Sequence, residues 1–350
     1  MPKQDEQIQR KVEHLFLAEK FFTDESFAGF DGIRLLHNAL PELSLDDIDL
    51  STNFIDMKMN YPIYFNAITG GSKQSTKFNI ELAQLAHKFK IPVSSGSMGV
   101  YLRLPEKTKD SFSVLRENNP DGFVMANVSA KVNSEQAQQT IDLLSANALQ
   151  IHLNGIQELV MPEGDREFFW LANIKDIVEK VSVPVVVKEV GFGLSRETIA
   201  ELYKIGVKYV DVAGFGGTDF AQIENARNHG FDLTYLDRFS LSTVESMIES
   251  IPYQDKLTVF ASGGIRTPMD VIKALRMGAS SVGMSGLILH HLQKYSLSET
   301  EMFVHAFVKQ LKIIMAVIGA KSISDIKKAP IIFDESLVNY AKQRQIVLPS

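Results

Sequence analysis

Eight short apolar runs separated by stretches of helical periodicity constrain this chain more than any other feature. The runs fall at residues 62–67, 92–95, 123–127, 149–154, 184–189, 209–213, 258–262 and 281–284, and Val, Ile and Phe recur in them, as strands require. Val183-Pro184-Val185-Val186-Val187 is apolar at consecutive positions, which fits a strand covered on both faces and therefore a parallel sheet. Between the runs, helices are predicted at 76–90, 134–146, 168–181, 196–205, 241–250 and 268–277. The first places Ile80, Leu82, Ala83, Leu85, Ala86 and Phe89 on one stripe suited to packing on a sheet. Eight alternating units predict an α/β fold closed as a (β/α)8 barrel, in preference to a doubly wound open sheet.

A charged helical arm and polar linker occupy residues 1–59, and the barrel with its C-terminal helices takes 60–350. The segment 222–238, with Asn225, Asn228, His229, Gly230, Asp232 and Asp237, breaks the rhythm and reads as an insertion or lid after the sixth strand. The late stretch 299–318 reads as an amphipathic helix burying Ile314, Met315 and Ile318. Trp170 reads as a core or interface residue. His290, His291 and His305 read as structural or surface histidines without a paired carboxylate pattern.

A chain of 350 residues with 45% hydrophobic content is long enough for one large core of this kind. Its net charge of -6 provides no footprint for nucleic acid or an anionic membrane, so any phosphate must be held locally. Cysteine is absent, which excludes disulfides, thiolate nucleophiles, thiolate-bound zinc and iron–sulfur clusters. The first thirty residues mix both charge signs, unlike a signal peptide, and no run approaches the ~18 apolar residues of a membrane span. A soluble, cytoplasmic protein is expected.

In such barrels chemistry sits where strands end and loops begin. The first strand ends in Ala67-Ile68-Thr69-Gly70-Gly71 and the second in Ser95-Gly96-Ser97-Met98-Gly99, both permissive to close backbone approach. The third ends in Asn127, whose amide can both donate and accept. The fourth ends in His152-Leu153-Asn154-Gly155-Ile156-Gln157-Glu158, where period-two spacing sets His152 and Asn154 on one face. Four polar side chains closing an apolar strand are costly to bury without a function. Lys188 ends the fifth strand and would face an interior that calls for an anionic partner, such as a flavin edge, a phosphate or a buried carboxylate.

Gly214, Gly216, Gly217 and Thr218 follow the sixth strand. Ser262-Gly263-Gly264-Ile265-Arg266-Thr267 follows the seventh and Met284-Ser285-Gly286 the eighth. Glycine-rich turns after strands seven and eight are the recurrent phosphate cradle of these barrels, and Arg266 is placed to add a charge-assisted contact. Cradle, lysine and amide-bearing loops together suit flavin mononucleotide (FMN) across the barrel mouth.

Taken in order, Arg10-Lys11-Val12-Glu13-His14, Thr69-Gly70-Gly71, Gly96-Ser97, Asn127, His152-Leu153-Asn154 with Gln157-Glu158, Val187-Lys188-Glu189-Val190-Gly191, Asp211 to Thr218 and Ser262 to Thr267 resemble the signatures of type 2 isopentenyl-diphosphate isomerases. The resemblance runs from residue 10 to about 290, and its most specific element is His-x-Asn-x-x-Gln-Glu. Two positions depart from it. Met98-Gly99-Val100-Tyr101-Leu102-Arg103 stands where many members carry Gln-Arg directly after the serine, and Gly155 stands where proline is frequent.

The resemblance implies FMN contacts from Ala67, Ile68, Thr69, Ser97, Asn127, Lys188, Thr218, Gly263, Gly264, Arg266, Ser285 and Gly286. It implies a Mg2+ ion at Glu158 on the substrate diphosphate, Arg10 and Lys11 on that diphosphate, and His152, Asn154 and Gln157 lining the substrate pocket as the catalytic group. Isopentenyl and dimethylallyl diphosphate would be its substrate and product. Reduced FMN would serve as acid/base with Gln157 and His152 orienting the alkene, and NADPH would be the reductant. An arm carrying substrate ligands from outside the barrel points to docking across a subunit boundary, hence a homo-oligomer. The residues by themselves leave open another FMN barrel oxidoreductase, and a non-catalytic barrel that binds a phosphometabolite.

Overall fold

The computed structural model describes residues 4–228, 230, 232–236 and 239–350; His229, Asp237 and Arg238 of the expected lid lie outside the described residues. Eight parallel strands, β1 (Ile63–Phe65), β2 (Val93–Ser94), β3 (Val124–Ser129), β4 (Ala148–His152), β5 (Val185–Lys188), β6 (Tyr209–Asp211), β7 (Thr258–Ser262) and β8 (Ser281–Met284), close into a barrel in chain order. Each pairs in parallel register with its neighbours, and β8 pairs with β1 through Met284 and Phe65. The predicted strands all fall on these elements. The third runs two residues further than expected, so Asn127 lies inside it and not at its end.

Alternation along each strand sorts the barrel interior into layers. Tyr64, Met125, Ala148, Val186 and Phe260 form an apolar floor with Phe54 and Met59. The hairpin of Thr52–Phe54 and Met57–Met59 caps the N-terminal end, where the Phe54 ring sits 4.9 Å from that of Phe260 and 5.1 Å from that of Phe123. Two residues further along the same strands the inward positions turn polar, at Asn66, Asn127, Gln150, Lys188, Asp211 and Ser262, all buried. The floor excludes water from below, so ligand access is left to the C-terminal mouth.

Helices Lys73–Phe89, Ser134–Leu144, Leu171–Lys180, Arg196–Lys204, Thr243–Ser250 and Pro268–Arg276 stand where helical periodicity predicts them. Ser72, Asn133, Ser195, Ser242 and Thr267 cap their N-termini by accepting backbone N–H groups. Trp170 precedes Leu171–Lys180 as its cap residue, with its ring against the core. In Leu297–Ile318, Met315 and Ile318 are buried and Ile314 partly so, as expected.

The expected interruption after β6 begins earlier than predicted, as a helix at Phe220–Arg227 whose cap, Asp219, accepts from Ala221 N at 2.8 Å. Ala221 and Ile223 bury one side of it, a stripe the neighbouring Gln, Asn and Arg residues obscure in the sequence. The N-terminal helix, Gln4–Lys20, packs on Phe220–Arg227 and on Gly286–Lys294 of the same chain, so the arm closes over its own barrel. His290 corrects an expectation, since Glu19 of that arm supplies a carboxylate 2.8 Å from its Nδ1 and Phe22 stacks on its ring. Among the described residues, no helix is long and apolar enough to cross a membrane.

Candidate functional site

The C-terminal ends of the strands open into a cleft of about 300 Å3, and every residue to which the resemblance gives a role lines it: Arg10, Lys11, Ala67, Ile68, Thr69, Ser97, Asn127, His152, Asn154, Gln157, Glu158, Lys188, Thr218, Gly263, Gly264, Arg266, Ser285 and Gly286. That volume falls within the range of small-molecule sites. Elements far apart in sequence converge there because the barrel ends every strand at the same rim.

On one side the β7 and β8 loops form a backbone cradle. Gly263 and Gly264 take φ values of +100° and +68°, and a Cβ on Gly263 would stand 2.0 Å from the Gly214 carbonyl oxygen. Ser285 and Gly286 begin the helix Gly286–Lys294, whose positive end faces the same cleft. Glycine-rich backbone beside a helix N-terminus is the donor set that a flavin phosphate requires. Arg266 lines the cleft, but its Nε donates to the Thr23 carbonyl at 2.9 Å and its guanidinium lies over the Phe22 ring. Its principal contacts therefore hold the segment after the N-terminal helix.

Lys188 reaches the centre of the cleft from β5. Burial pushes its ammonium pKa down, while Asp211 and Glu189 favour the charged form. Its Nζ donates to the Glu189 carbonyl at 2.5 Å. The Glu189 carboxylate accepts the N–H groups of Val190, Gly191 and Phe192, so those donors fix the turn after β5. His152 is neutral. Burial and then the charges of Lys188, Lys11 and Lys131 push its imidazole down to about 3.

The opposite side is built by the loop after β4, the helix Phe220–Arg227 and the N-terminal helix. Gln157 Nε2 donates to Glu224 Oε1 at 3.1 Å, and His14 Nε2 lies 2.8 Å from the same oxygen. Burial pushes the Glu224 carboxyl up, but His14, Arg227 and Gln157 outweigh it and hold it at about 2. Arg227 also pairs with Glu13 and Glu163, each at 2.9 Å, pinning the N-terminal helix over the mouth. Asn154 Nδ2 donates to Glu158 Oε1 at 3.0 Å, and Asn154 Oδ1 is buried without a partner.

Three cations gather beside this group. Burial, Arg10 and Arg103 together push the Lys11 ammonium down to about 7. Among the described residues Arg10 Nε is buried without a partner, and Arg10 Nη1 lies 3.3 Å from the Met161 sulfur and 3.6 Å from Glu163. Like charges held together in a partly desolvated cleft are stabilised by a polyanion.

A family model described as FMN-dependent dehydrogenase matches residues 105–332. Near-full-length relatives are more specific. An isopentenyl-diphosphate delta-isomerase of Latilactobacillus sakei is 48% identical over 99% of each chain. The isomerase of that name from Staphylococcus haemolyticus is 45% identical over 96% of each. The chain belongs to the FMN-dependent isopentenyl-diphosphate delta-isomerase family. Solved structures agree on the fold. Flavocytochrome b2 with benzoylformate superimposes with a TM-score of 0.68 at 20% identity, covering 100% of this chain and 91% of that one. A mandelate oxidase gives 0.65 at 14% identity, covering 92% of each.

Sequence reasoning passed over several residues of this isomerase-family site. Glu224 fell inside the segment read as a lid. His14 was named within a motif but given no role. Asn66 and Gln150 were hidden inside strands read as apolar. The available signal was period two, since Gln150 shares the phase of His152 and Asn66 that of Tyr64. Lys131 lies 3.4 Å from Glu158 and also pairs with Asp165. It stands two residues past the end of β3 at Ser129, and the strand expected to stop at Asn127 placed it too far along the loop to be noticed.

Proposed function

We propose that this chain interconverts isopentenyl and dimethylallyl diphosphate by adding a proton at one carbon and removing one at another. The observation that carries the reading is the cluster of Arg10, Lys11 and Arg103 beside His152, Asn154 and Gln157 in a cleft with a glycine cradle opposite, in a chain whose full-length relatives bear the isomerase name. Arg103 is the basic residue of the stretch 98–103 that lines this cleft, which supports it as the one that meets the substrate. The cluster supplies the charge a diphosphate requires, while the groups facing the alkene are neutral or hydrogen-bonded amides.

The residues fit FMN. Gly263, Gly264, Ser285 and Gly286 would hold its phosphate, and Lys188, Asn127, Thr69, Ala67, Ile68, Ser97 and Thr218 its ring and linker. When bound and reduced, FMN supplies an electron-rich surface that stabilises positive charge and exchanges a proton. Around it the protein orients and excludes water. Glu224 holds the Gln157 amide through its Nε2, which leaves Oε1 to accept from Asn154 Nδ2 at 3.4 Å on the cleft wall. The neutral His152 imidazole lines the same wall. The N-terminal helix, clasped by Arg227, shields the alkene, since a carbocation-like centre open to water would be captured by it.

Among the described residues, no group of three or more His, Asp or Glu side chains is gathered to hold a metal alone. Glu158 fits a Mg2+ ion bound mainly by diphosphate oxygens and water, with one carboxylate from the protein. Reduction by NADPH, a cytoplasmic compartment and a homo-oligomeric state belong to the same reading. Anaerobic incubation with isopentenyl diphosphate, Mg2+ and FMN, with and without a reductant, tests it. Dimethylallyl diphosphate appearing by NMR only in the reduced sample is expected, and no product in either would refute it.

A further inference from the structure

A continuous chain of amides crosses the polar layer of the barrel beneath the cleft, and its direction is fixed at one end. Asp211 accepts from Tyr64 OH at 2.7 Å and from Asn66 Nδ2 at 2.7 Å. The Ala213 N–H and the Ser262 hydroxyl complete its shell. With its Nδ2 committed to the carboxylate, Asn66 presents Oδ1 the other way, where the Ala67 N–H donates at 2.8 Å. Gln150 Nε2 therefore donates to that same oxygen at 3.0 Å. Its Oε1, reversed in turn, accepts from Asn127 Nδ2 at 3.1 Å and sits 2.6 Å from the Ser94 hydroxyl. Asn127 is left with Oδ1 facing His152 Nδ1 at 2.8 Å. Each amide has one donor end and one acceptor end, so orienting the first orients all of them.

We infer that Gln150 is a positioning residue that sets the tautomer of His152: through Asn127 it places a hydrogen-bond acceptor at Nδ1, so that Nδ1 carries the proton and Nε2 is unprotonated. An imidazolium would donate from both nitrogens, but burial and the nearby lysines keep this ring neutral. His152 therefore enters the reaction as an acceptor and not as a proton donor.

Gln150 is 1% exposed and does not line the cleft, so it reaches the cleft through Asn66 and Asn127, and His152 through Asn127. Packing alone gives no reason for it. A leucine would fill β4 at this position without carrying two amide bonds into a dry layer, and a buried polar side chain is retained at a cost unless all its bonds are made. The proton on Nδ1 stands on the acceptor that the geometry places there, and the bare Nε2 on the burial that keeps the ring neutral, whereas the effect on turnover rests on the isomerase reading.

The test is long-range proton–nitrogen correlation NMR on the full chain labelled with 15N-histidine, without FMN and loaded with it. His152 is assigned by comparison with His152→Gln. In the wild type a protonated Nδ1 and an unprotonated Nε2 are expected, and a protonated Nε2 would overturn the inference without any variant. Gln150→Leu leaves the Asn127 amide free to turn, so His152 is expected to lose its single tautomer; kcat falls about 10- to 100-fold with KM little changed, the usual cost of removing a group that orients an imidazole. Gln150→Glu, buried and therefore protonated, donates its O–H to Asn66 Oδ1 in place of Nε2 and still accepts from Asn127 at its carbonyl, so it is expected to retain the wild-type tautomer. A leucine variant that keeps the tautomer, or a glutamate variant that loses it, would refute the directional chain. A changed tautomer at unchanged kcat would refute its link to turnover. A wild-type enzyme with the expected tautomer but no isomerisation would sink the isomerase reading and leave the chain of amides standing.

Discussion

The depressed pKa of Lys11 makes substrate affinity depend on pH in a direction that can be worked out. In the free protein the ammonium titrates at about 7, because burial and the charges of Arg10 and Arg103 disfavour it. A bound diphosphate brings negative charge and raises that pKa, so above pH 7 binding takes up a proton and affinity falls as pH rises. Below about pH 6 Lys11 is already charged and KM is flat, apart from protonation of the diphosphate itself, whose last pKa lies near 6 as for other phosphates. Half of Lys11 is charged at pH 7 and about 1% at pH 9, so KM is expected to rise up to about 50-fold between them, roughly 2.3 kcal/mol. The assay is steady-state isomerisation at constant ionic strength over this range, comparing the wild type with Lys11→Met. The variant should bind more weakly at pH 6.5 and converge on the wild type near pH 9. Curves that stay parallel across the range would refute the assignment of that titration to Lys11.

Other outcomes follow from the same geometry. Glu224→Gln removes the charge and leaves one acceptor oxygen where Gln157, His14 and Arg227 meet two, and kcat is expected to fall about 100-fold with flavin still bound, as read by flavin absorbance and product NMR. Gly263→Ala forces a Cβ toward the Gly214 carbonyl at a left-handed φ, so FMN affinity measured by fluorescence titration should drop at least about tenfold. Glu158→Gln should weaken the Mg2+ dependence of the reaction while leaving FMN affinity unchanged; an identical metal titration would remove Glu158 from that role.

The barrel was legible because its signal is repeated. Each of eight apolar runs is ambiguous alone, but their spacing against helical stripes excludes most other architectures. The cleft was legible for the same reason: once strand ends are known, the residues after them converge, as Asn154, Gln157 and Gly263 do. What stayed hidden depends on contacts between distant segments. Glu224 sits on a helix whose buried stripe is short, and its meaning arises only when His14 and Gln157 arrive from other elements. Arg266 reads as a phosphate ligand from its position after a glycine turn, yet its guanidinium is held by Thr23 and Phe22. Likewise, nothing near His290 announces Glu19, which lies 271 positions earlier in the chain.

The account's central claim is redox-neutral isomerisation that needs reduced flavin, and one experiment reads both halves at once. Anaerobic, photoreduced holoenzyme is mixed with a large excess of isopentenyl diphosphate and Mg2+, and flavin absorbance is followed alongside dimethylallyl diphosphate by NMR. The account predicts many product molecules per flavin while the flavin spectrum stays reduced. Flavin reoxidised in proportion to substrate consumed, or equal turnover by the oxidised enzyme, would contradict it.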